Sequence, residues 1–286
     1  MRHGHKAYLV GGGVRDLLLG IQPKDYDIAT DARPRQIKTI FRNSRIIGRR
    51  FKLVHVYFAD QKIIEVATFR AQDNDQEVIS EEGSEIEAQP LNENIYGTDA
   101  TDAFRRDLTI NGLFYDLSNF SVIDYVGGVE DLRNKIIRVI GDPDKRFAED
   151  PVRLIRTIRH AARTGFSIEN ETLDSLVKCR NLLNQASEVR IYEELKKDLV
   201  SGHSLAIFTL LHTAYLLELM IPELEEDDGA FLKEENHSLE IFRRADLLVK
   251  SKDPINTTAL LAAMVLFIGL PQIPRSDLIN LSLIHI

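Results

Sequence analysis

Three carboxylates are the side chains best placed for chemistry in this sequence: Asp25 and Asp27, one residue apart, and Glu65 inside an apolar run. Ile21 to Thr30 reads as a strand in which the aspartates alternate with Tyr26 and Ile28. Residues i and i+2 of a strand share a face, so both carboxylates point the same way. Carboxylates a few ångströms apart repel unless a cation lies between them. An oxygen-only set suits Mg²⁺, which keeps several waters and completes its shell from substrate phosphates. Just upstream, Gly11-Gly12-Gly13 breaks the short apolar strand Tyr8-Leu9-Val10 and opens a helix from Val14 to Leu19. Such a turn into a helix N-terminus gives phosphates a place to lie. Either feature alone reads as an ordinary turn or a solvated acid pair. In the order strand, glycine turn, helix, Asp-x-Asp strand, they describe a metal-dependent phosphate site.

The elements around these residues must bring Glu65 to the aspartates. Ala32 to Phe41 predicts an amphipathic helix, with Ile37, Ile40 and Phe41 inward and Arg33, Arg35 and Lys38 outward. Arg45 to Phe58 (RIIGRRFKLVHVYF) predicts a strand, and Lys62 to Phe69 (KIIEVATF) its hairpin partner across Asp60-Gln61. Glu65 then lies between Ile64 and Val66, where an unpaired carboxylate is costly. Either this is an edge strand with Glu65 facing water, or strand pairing delivers a third metal carboxylate beside Asp25 and Asp27. The second reading is adopted.

Composition narrows the class. At 286 residues, with 44% apolar and 28% charged side chains, the chain is an ordinary globular protein of about two domains. Its longest apolar run, Ala259 to Leu270, is short of the roughly 20 residues that span a bilayer. MRHGHK carries no apolar signal region, and Cys179 is the single cysteine, which excludes an internal disulfide and a thiolate zinc cluster. A cytoplasmic protein is expected. The net charge of −8 conceals an asymmetry. Ten acids and no base lie between Arg70 and Arg105, and without them 34 acids face 36 bases. Arg33 to Lys52 carries eight bases and no acid. Local charge therefore says more about partners than the total does.

Residues 72–103 predict a mobile acidic loop, anchored near Asn94 to Tyr96. Order resumes at Ala103-Phe104-Arg105-Arg106-Asp107-Leu108-Thr109-Ile110-Asn111. Arg105 and Arg106 suit bidentate phosphate contacts and Asp107 a ribose hydroxyl; a surface ion pair is the plainer reading. Val122 to Val126 and Ile136 to Ile140 predict short strands around Gly127-Gly128. After Gly141-Asp142-Pro143 helical periodicity takes over and no further strand is expected. Asp150 to Thr164 predicts a helix N-capped by Asp150 with Pro151 in its first turn. Leu154, Ile155, Ile158, Ala161 and Ala162 fill one arc, with Glu149, Arg153, Arg156, His160 and Arg163 opposite. His160 and Arg163 read as a solvated basic face; Glu149, Asp150 and Arg153 read as base recognition. Further helices are expected at 171–183, 187–201, 205–219, 238–250 and 257–268, with Thr172, Leu173, Leu176 and Val177 as packing residues.

Taken together, LVGGGVRD, DYD, IIEVATFR, RRDLTING, DYVGG and EDPVRLIRTIRHA resemble, in order, the bacterial poly(A) polymerases. These are close kin of the class II tRNA CCA-adding enzymes, in the nucleotidyltransferase superfamily built on the DNA polymerase β palm. The resemblance runs from about Lys6 to Gly269. It implies an α+β fold: a palm-type nucleotidyltransferase domain with a small mixed β-sheet, then an all-α neck and partial helical body. The implied domains are a catalytic head over 1–140, a neck over 141–200 and a partial body over 201–280. It implies Asp25, Asp27 and Glu65 as ligands of two Mg²⁺ ions. Gly11, Gly12, Arg15, Arg105, Arg106 and Asp107 are implied as contacts to the incoming nucleotide. Asp150 and Arg153 are implied to read the base, with Glu149 and Arg156 supporting. Arg49, Arg50 and Lys52 fall in a GRRF-type segment (Ile46 to Val56) typical of the poly(A) polymerase branch, and are candidate RNA contacts. The expected activity is template-independent addition of AMP from ATP to an RNA 3′ end, releasing pyrophosphate. The alternatives are CCA addition to tRNA and, from another class, a non-catalytic RNA-binding module, against which the intact carboxylate set argues. The family has a helix ahead of the first strand, where this chain has only MRHGHK. Residues 281–286, LSLIHI, resemble a translated adapter and are left out of fold reasoning, so a fragment is expected.

Overall fold

The computed structural model describes residues 3–48, 52–59, 62–71, 96–221, 238–251, 256, 257, 259, 260 and 262. The chain divides into two compact units, Met1–Gly141 and Asp142–Ile286. The first runs β1 (Ala7–Val10), α1 (Gly12–Leu18), β2 (Asp27–Thr30), α2 (Pro34–Ile40), β3 (Ser44–Ile47), β4 (Leu53–Tyr57), β5 (Ile63–Thr68) and α3 (Asp99–Phe104). A 3-10 turn (Thr109–Asn111), β6 (Leu113–Asp116), β7 (Ser121–Asp124), α4 (Gly128–Asn134) and β8 (Ile136–Ile137) complete it.

Seven of these strands form one mixed sheet in the order β3-β4-β5-β2-β1-β6-β7. The β2–β5 pair is parallel and the other pairs are antiparallel. Period-two alternation sorts the apolar residues between two faces. Tyr8, Val10, Ala29 and Phe114 pack with Phe69 and Ala103 on one, and Ala32, Ile37, Val54, Val56 and Val66 cluster on the other. Both faces of the central strands are thus anchored, which fixes their register.

Several expectations change here. β2 begins at Asp27, so Asp25 lies in the lead-in and outside the ladder. The cause is β1, whose last pair is Val10↔Asp27 because the chain turns away at Gly11. Arg45 to Phe58 is two strands, β3 and β4, paired antiparallel with Gly48 at φ 89° between them. The expected acidic loop ends early: 72–95 lie outside the described residues, but Asp99–Phe104 is helical and N-capped by Thr98. Asp99 and Asp102 are buried there because each has a cationic partner, Lys6 for the first and Arg105 and Arg106 for the second. Phe41 is exposed where an inward position was expected. β6 was not foreseen, since LFYD is short and follows directly on the 3-10 turn.

The DYVGG segment is architectural. Asp124 accepts from the backbone N–H of Val126, Gly127, Gly128 and Val129, starting α4. A Cβ at Gly128 would stand 2.2 Å from the Thr109 carbonyl oxygen, so only glycine fits.

The second unit contains α5 (Pro143–Glu149), α6 (Val152–Thr164), the two-residue strand β9 (Ser167–Ile168), α7 (Asn170–Cys179) and a 3-10 stretch (Arg180–Gln185). α8 (Glu188–Leu199), α9 (Ser204–Thr213), α10 (Leu217–Met220) and α11 (Ser238–Ser251) follow. Leu154, Ile155, Leu176, Leu199, Ile207 and Phe208 are fully buried, and Phe208 stacks on Phe242 with ring centroids 4.4 Å apart. β9 corrects the expectation of no strand beyond 143, and α5 is a helix the sequence reading left unassigned. Asp142 caps α5 through the N–H groups of Asp144 and Lys145, with Pro143 in the first turn. The expected helix 205–219 divides where Tyr215 takes φ 54°. Leu173 and Val177 are exposed while Thr172 and Leu176 are buried. The region 257–268 lies largely outside the described residues.

The basic side of α6 is not a solvated face. His160 is buried, as is Arg159, whose guanidinium pairs with Glu194 and Asp198 of α8. A charge this deep requires such partners.

Candidate active site

The glycine turn is set by backbone geometry. Gly11 has φ 66° and ψ −136°, open to a residue without Cβ, and its N–H bonds the Leu113 carbonyl. A Cβ at Gly11 would stand 3.1 Å from the Arg106 guanidinium, and one at Gly12 3.4 Å from that of Arg15. The two glycines, Arg15 and Arg106 therefore meet at the C-terminal end of β1, an internal strand of the sheet.

Their environments differ. Arg15 is buried, with Nε and Nη2 donating to Asp16 and Nη1 donating to Asn111 Oδ1 at 2.8 Å. It ties the turn to the 3-10 segment. Arg106 donates through Nε and Nη2 to Asp102 and through Nη1 to the Asn111 carbonyl, and its guanidinium lies 5.2 Å from the Phe114 ring centroid. Arg105 donates to the other oxygen of Asp102 at 2.9 Å. Asp102, 2% exposed, also accepts from the Arg70 N–H, so one buried carboxylate orients the whole arginine pair. Asp107 accepts from the Leu108 N–H and from Asn111 Nδ2.

The carboxylates converge through strand register. Asp27 pairs with Glu65 across the parallel β2–β5 ladder, and Glu65 pairs with His55 across β4–β5. β5 is an internal strand, which removes the edge-strand reading of Glu65. The Glu65 carboxylate stays half exposed and meets His55 Nε2 at 3.2 Å. Desolvation, then the charges of Glu65 and Asp25, push the Asp27 pKa up, while Arg106 pulls it down. The three acids and Arg106 thus share one electrostatic neighbourhood, although Asp27 keeps contact with solvent.

In the second unit, Asp150 accepts from the Val152 N–H and pairs with Arg190 of α8 at 2.9 Å. The N-cap of α6 is Pro151 and not Asp150 as expected, because Asp150 ends α5 as its C-cap. Arg153 donates to Glu149 and to the Arg146 carbonyl, and Arg156 lies half-buried on the same helix. Asp150 and Arg153 therefore engage separate partners. Arg49 and Arg50 lie outside the described residues; Lys52 is exposed just ahead of β4.

Sequence reasoning missed Asp102, Asn111 and Arg190. Asp102 was counted only as part of an acid run, though its i+3 and i+4 spacing to Arg105 and Arg106 was legible. Asn111 is neutral, and Arg190 is remote in sequence from the residue it pairs with.

Comparison with known proteins identifies the family. Residues 7–138 match the family described as "Poly A polymerase head domain", and 165–228 that described as "Probable RNA and SrmB- binding site of polymerase A". Poly(A) polymerase I of Salmonella typhi is 40% identical over 269 residues, covering 91% of this chain and 57% of that protein. The CCA-adding enzyme of Bacillus pumilus is 37% identical over 228 residues, covering 79% of this chain and 53% of that protein. The crystal structure of the Bacillus stearothermophilus CCA-adding enzyme in complex with CTP superposes with TM-score 0.70 at 28% identity, covering 96% of this chain and 68% of that one. The fold is that of a nucleotidyltransferase. The chain belongs to the class II family of bacterial poly(A) polymerases and tRNA CCA-adding enzymes. It spans little more than half the length of these two curated relatives.

The donor set fits a hard divalent cation. Asp25, Asp27 and Glu65 offer only oxygen, and the like charges that raise the Asp27 pKa are those a cation would relieve. No group of three His, Cys, Asp or Glu side chains among the described residues forms a preformed metal cage.

Proposed function

We propose that this chain carries out template-independent transfer of AMP from ATP to an RNA 3′-hydroxyl, releasing pyrophosphate. The observation that carries the reading is the Asp27–Glu65 register pair, within the field of Asp25 and Arg106 and beside a glycine turn. Identity to poly(A) polymerase I supports ATP and a general RNA end over the alternative, CCA addition.

Asp25, Asp27 and Glu65 would hold two Mg²⁺ ions, which when bound lower the pKa of the attacking hydroxyl and stabilise the leaving oxygens. Gly11 and Gly12 leave room for the triphosphate at the end of β1. Arg105 and Arg106, held from behind by Asp102, bind its oxygens; a guanidinium has five N–H donors, more than Asp102 occupies. Arg15 holds the turn in shape from its buried position. Asp107 accepts from a ribose hydroxyl. Asp150 and Arg153 read the adenine edge, with Glu149 and Arg156 supporting, and Lys52 with Arg49 and Arg50 contributes to RNA binding.

Among the described residues no helix is long and apolar enough to cross a membrane. Action on RNA by a chain with one cysteine fits the cytoplasm. Incubation with each nucleotide and Mg²⁺, on a generic RNA and on a tRNA lacking its CCA end, tests the function. Extension of the generic RNA with ATP alone supports it. CTP-then-ATP addition restricted to the tRNA replaces it with CCA addition, and no incorporation with either removes both.

A further inference from the structure

The eight bases and no acid of residues 33–52 take a definite shape in the fold. α2 buries Ile37 in the cluster with Val54 and Val56, which turns its opposite side outward. Arg35 and Lys38 are exposed on that helix, three residues apart and so on one side of it. Arg42 is exposed two residues after the helix ends, and Arg45 is exposed on β3, an edge strand of the sheet. None of the four forms an ion pair with another described residue. Like charges gathered on a surface without counter-charges attract a polyanion.

The basic strip also connects to the carboxylates. Arg45 pairs with His55 across β3–β4, His55 with Glu65 across β4–β5, and Glu65 with Asp27 across β2–β5. Register partners share a face, so these four residues form one row across the sheet. Arg45 ends the row at the edge, three strand spacings or roughly 14 Å from Asp27. The Arg45 guanidinium lies 6.0 Å from the Tyr57 ring centroid, and Tyr57 meets the His55 ring edge-on. Gly11 and Arg106 lie at the end of β1, on the other side of the carboxylates from β3.

We propose that Arg35, Lys38, Arg42 and Arg45 form an electrostatic track for RNA upstream of its 3′ end, binding successive phosphates around the β3 edge. The inference rests on the reading above in which RNA is the acceptor. Phosphate contacts carry no base identity, which suits an enzyme that extends ends without a template. A basic surface with an aromatic side chain beside it is the usual equipment for holding a single strand.

The test is fluorescence anisotropy of labelled single-stranded RNA titrated with the full chain over a salt series, using a mixed sequence and a homopolymer of equal length. One variant carries Arg35→Gln, Lys38→Gln and Arg42→Gln together, and a second carries Arg45→Gln. A control carries Arg133→Gln and Lys135→Gln, which remove exposed charges elsewhere in the first unit. Circular dichroism confirms that each is folded. Each phosphate contact on a single strand contributes about 0.7 to the slope of log K against log salt, so the triple variant should lower that slope by about 2. Arg45→Gln should lower it by about 0.7, and both losses should be the same for the two RNAs. A folded triple variant with the wild-type slope would overturn the inference. So would a control that loses as much per charge, since the effect would then belong to total charge. Wild-type protein that neither binds nor extends RNA would instead sink the proposed function, and the track with it.

Discussion

Asp27 and Glu65 are register partners on the one parallel strand pair among the described strands of the sheet, and each lies within the other's electrostatic reach. Their mutual repulsion is a cost carried by the metal-free fold. Asp27→Asn should therefore abolish transfer while leaving the protein as stable as wild type or more so. Thermal unfolding without divalent ions, beside single-turnover assays with Mg²⁺, checks both halves. A mutant within about tenfold of wild-type activity would remove Asp27 from the metal site.

The raised Asp27 pKa also sets a pH dependence. The folded state holds this proton to higher pH than the unfolded chain does. Its contribution is therefore present at low pH and is lost as pH rises through the folded-state pKa. Metal-free wild type should show that decline in denaturant midpoint, and Asp27→Asn should lack it. Mg²⁺ should flatten the wild-type profile by favouring the charged form. Identical profiles for wild type and mutant would mean that Asp27 is not the group responsible.

Glu65 offers a sharper separation of roles, because it also bonds His55. An exposed pair of this kind is worth little to stability. Glu65→Gln should leave the unfolding midpoint unchanged yet lower turnover beyond the roughly 10–100-fold typical of outer-shell partners of a metal. Near-normal turnover with unaltered Mg²⁺ dependence would leave Glu65 only its bond to His55.

Asp102 should behave in the opposite sense. It is buried and bonded to Arg105, Arg106 and the Arg70 N–H, so Asp102→Ala removes the carboxylate that two part-buried cations share. Breaking a buried pair from one side costs about 3–5 kcal/mol. Chemical denaturation should show a loss of that order, accompanied by weaker ATP binding. A loss under about 1 kcal/mol would mean that solvent replaces the carboxylate, as at a surface pair.

In the proposed function, base choice rests on Asp150 and Arg153. A hydrogen-bonded pair at a base edge is worth about 1–3 kcal/mol, so Arg153→Ala should reduce the preference for ATP roughly five- to 150-fold. Arg106→Ala should weaken all four nucleotides alike. Arg190→Ala, which releases Asp150, should resemble Arg153→Ala in kind. Should Arg153→Ala slow every nucleotide by the same factor, α6 positions the substrate without reading it.

What was legible in the sequence was what period and spacing encode. The alternation in Lys62 to Phe69 predicted β5, its pairing with β4 and the approach of Glu65 to Asp27. Gly11 announced the turn. What was not legible depended on partners distant in the chain. Asp99 and Asp102 looked like solvated acids because their cations are not part of the acid run. His160 looked exposed because a helical wheel records angle, not what packs against it. Asp25 appeared to belong to a strand because nothing in Ile21 to Thr30 reveals that the neighbouring strand ends at Val10.

The β2–β5 ladder also bears on how the chain folds. Residues 31–62, with α2 and the β3–β4 hairpin, lie between its two strands. Local hairpins close early, whereas a non-local parallel pairing must first meet the entropy of the loop it encloses. Asp27 and Glu65 are thus separated until that loop closes, and the step that assembles the carboxylates is also the step that brings their charges together. Divalent cations and ionic strength should then act on the rate of folding as well as on the finished site.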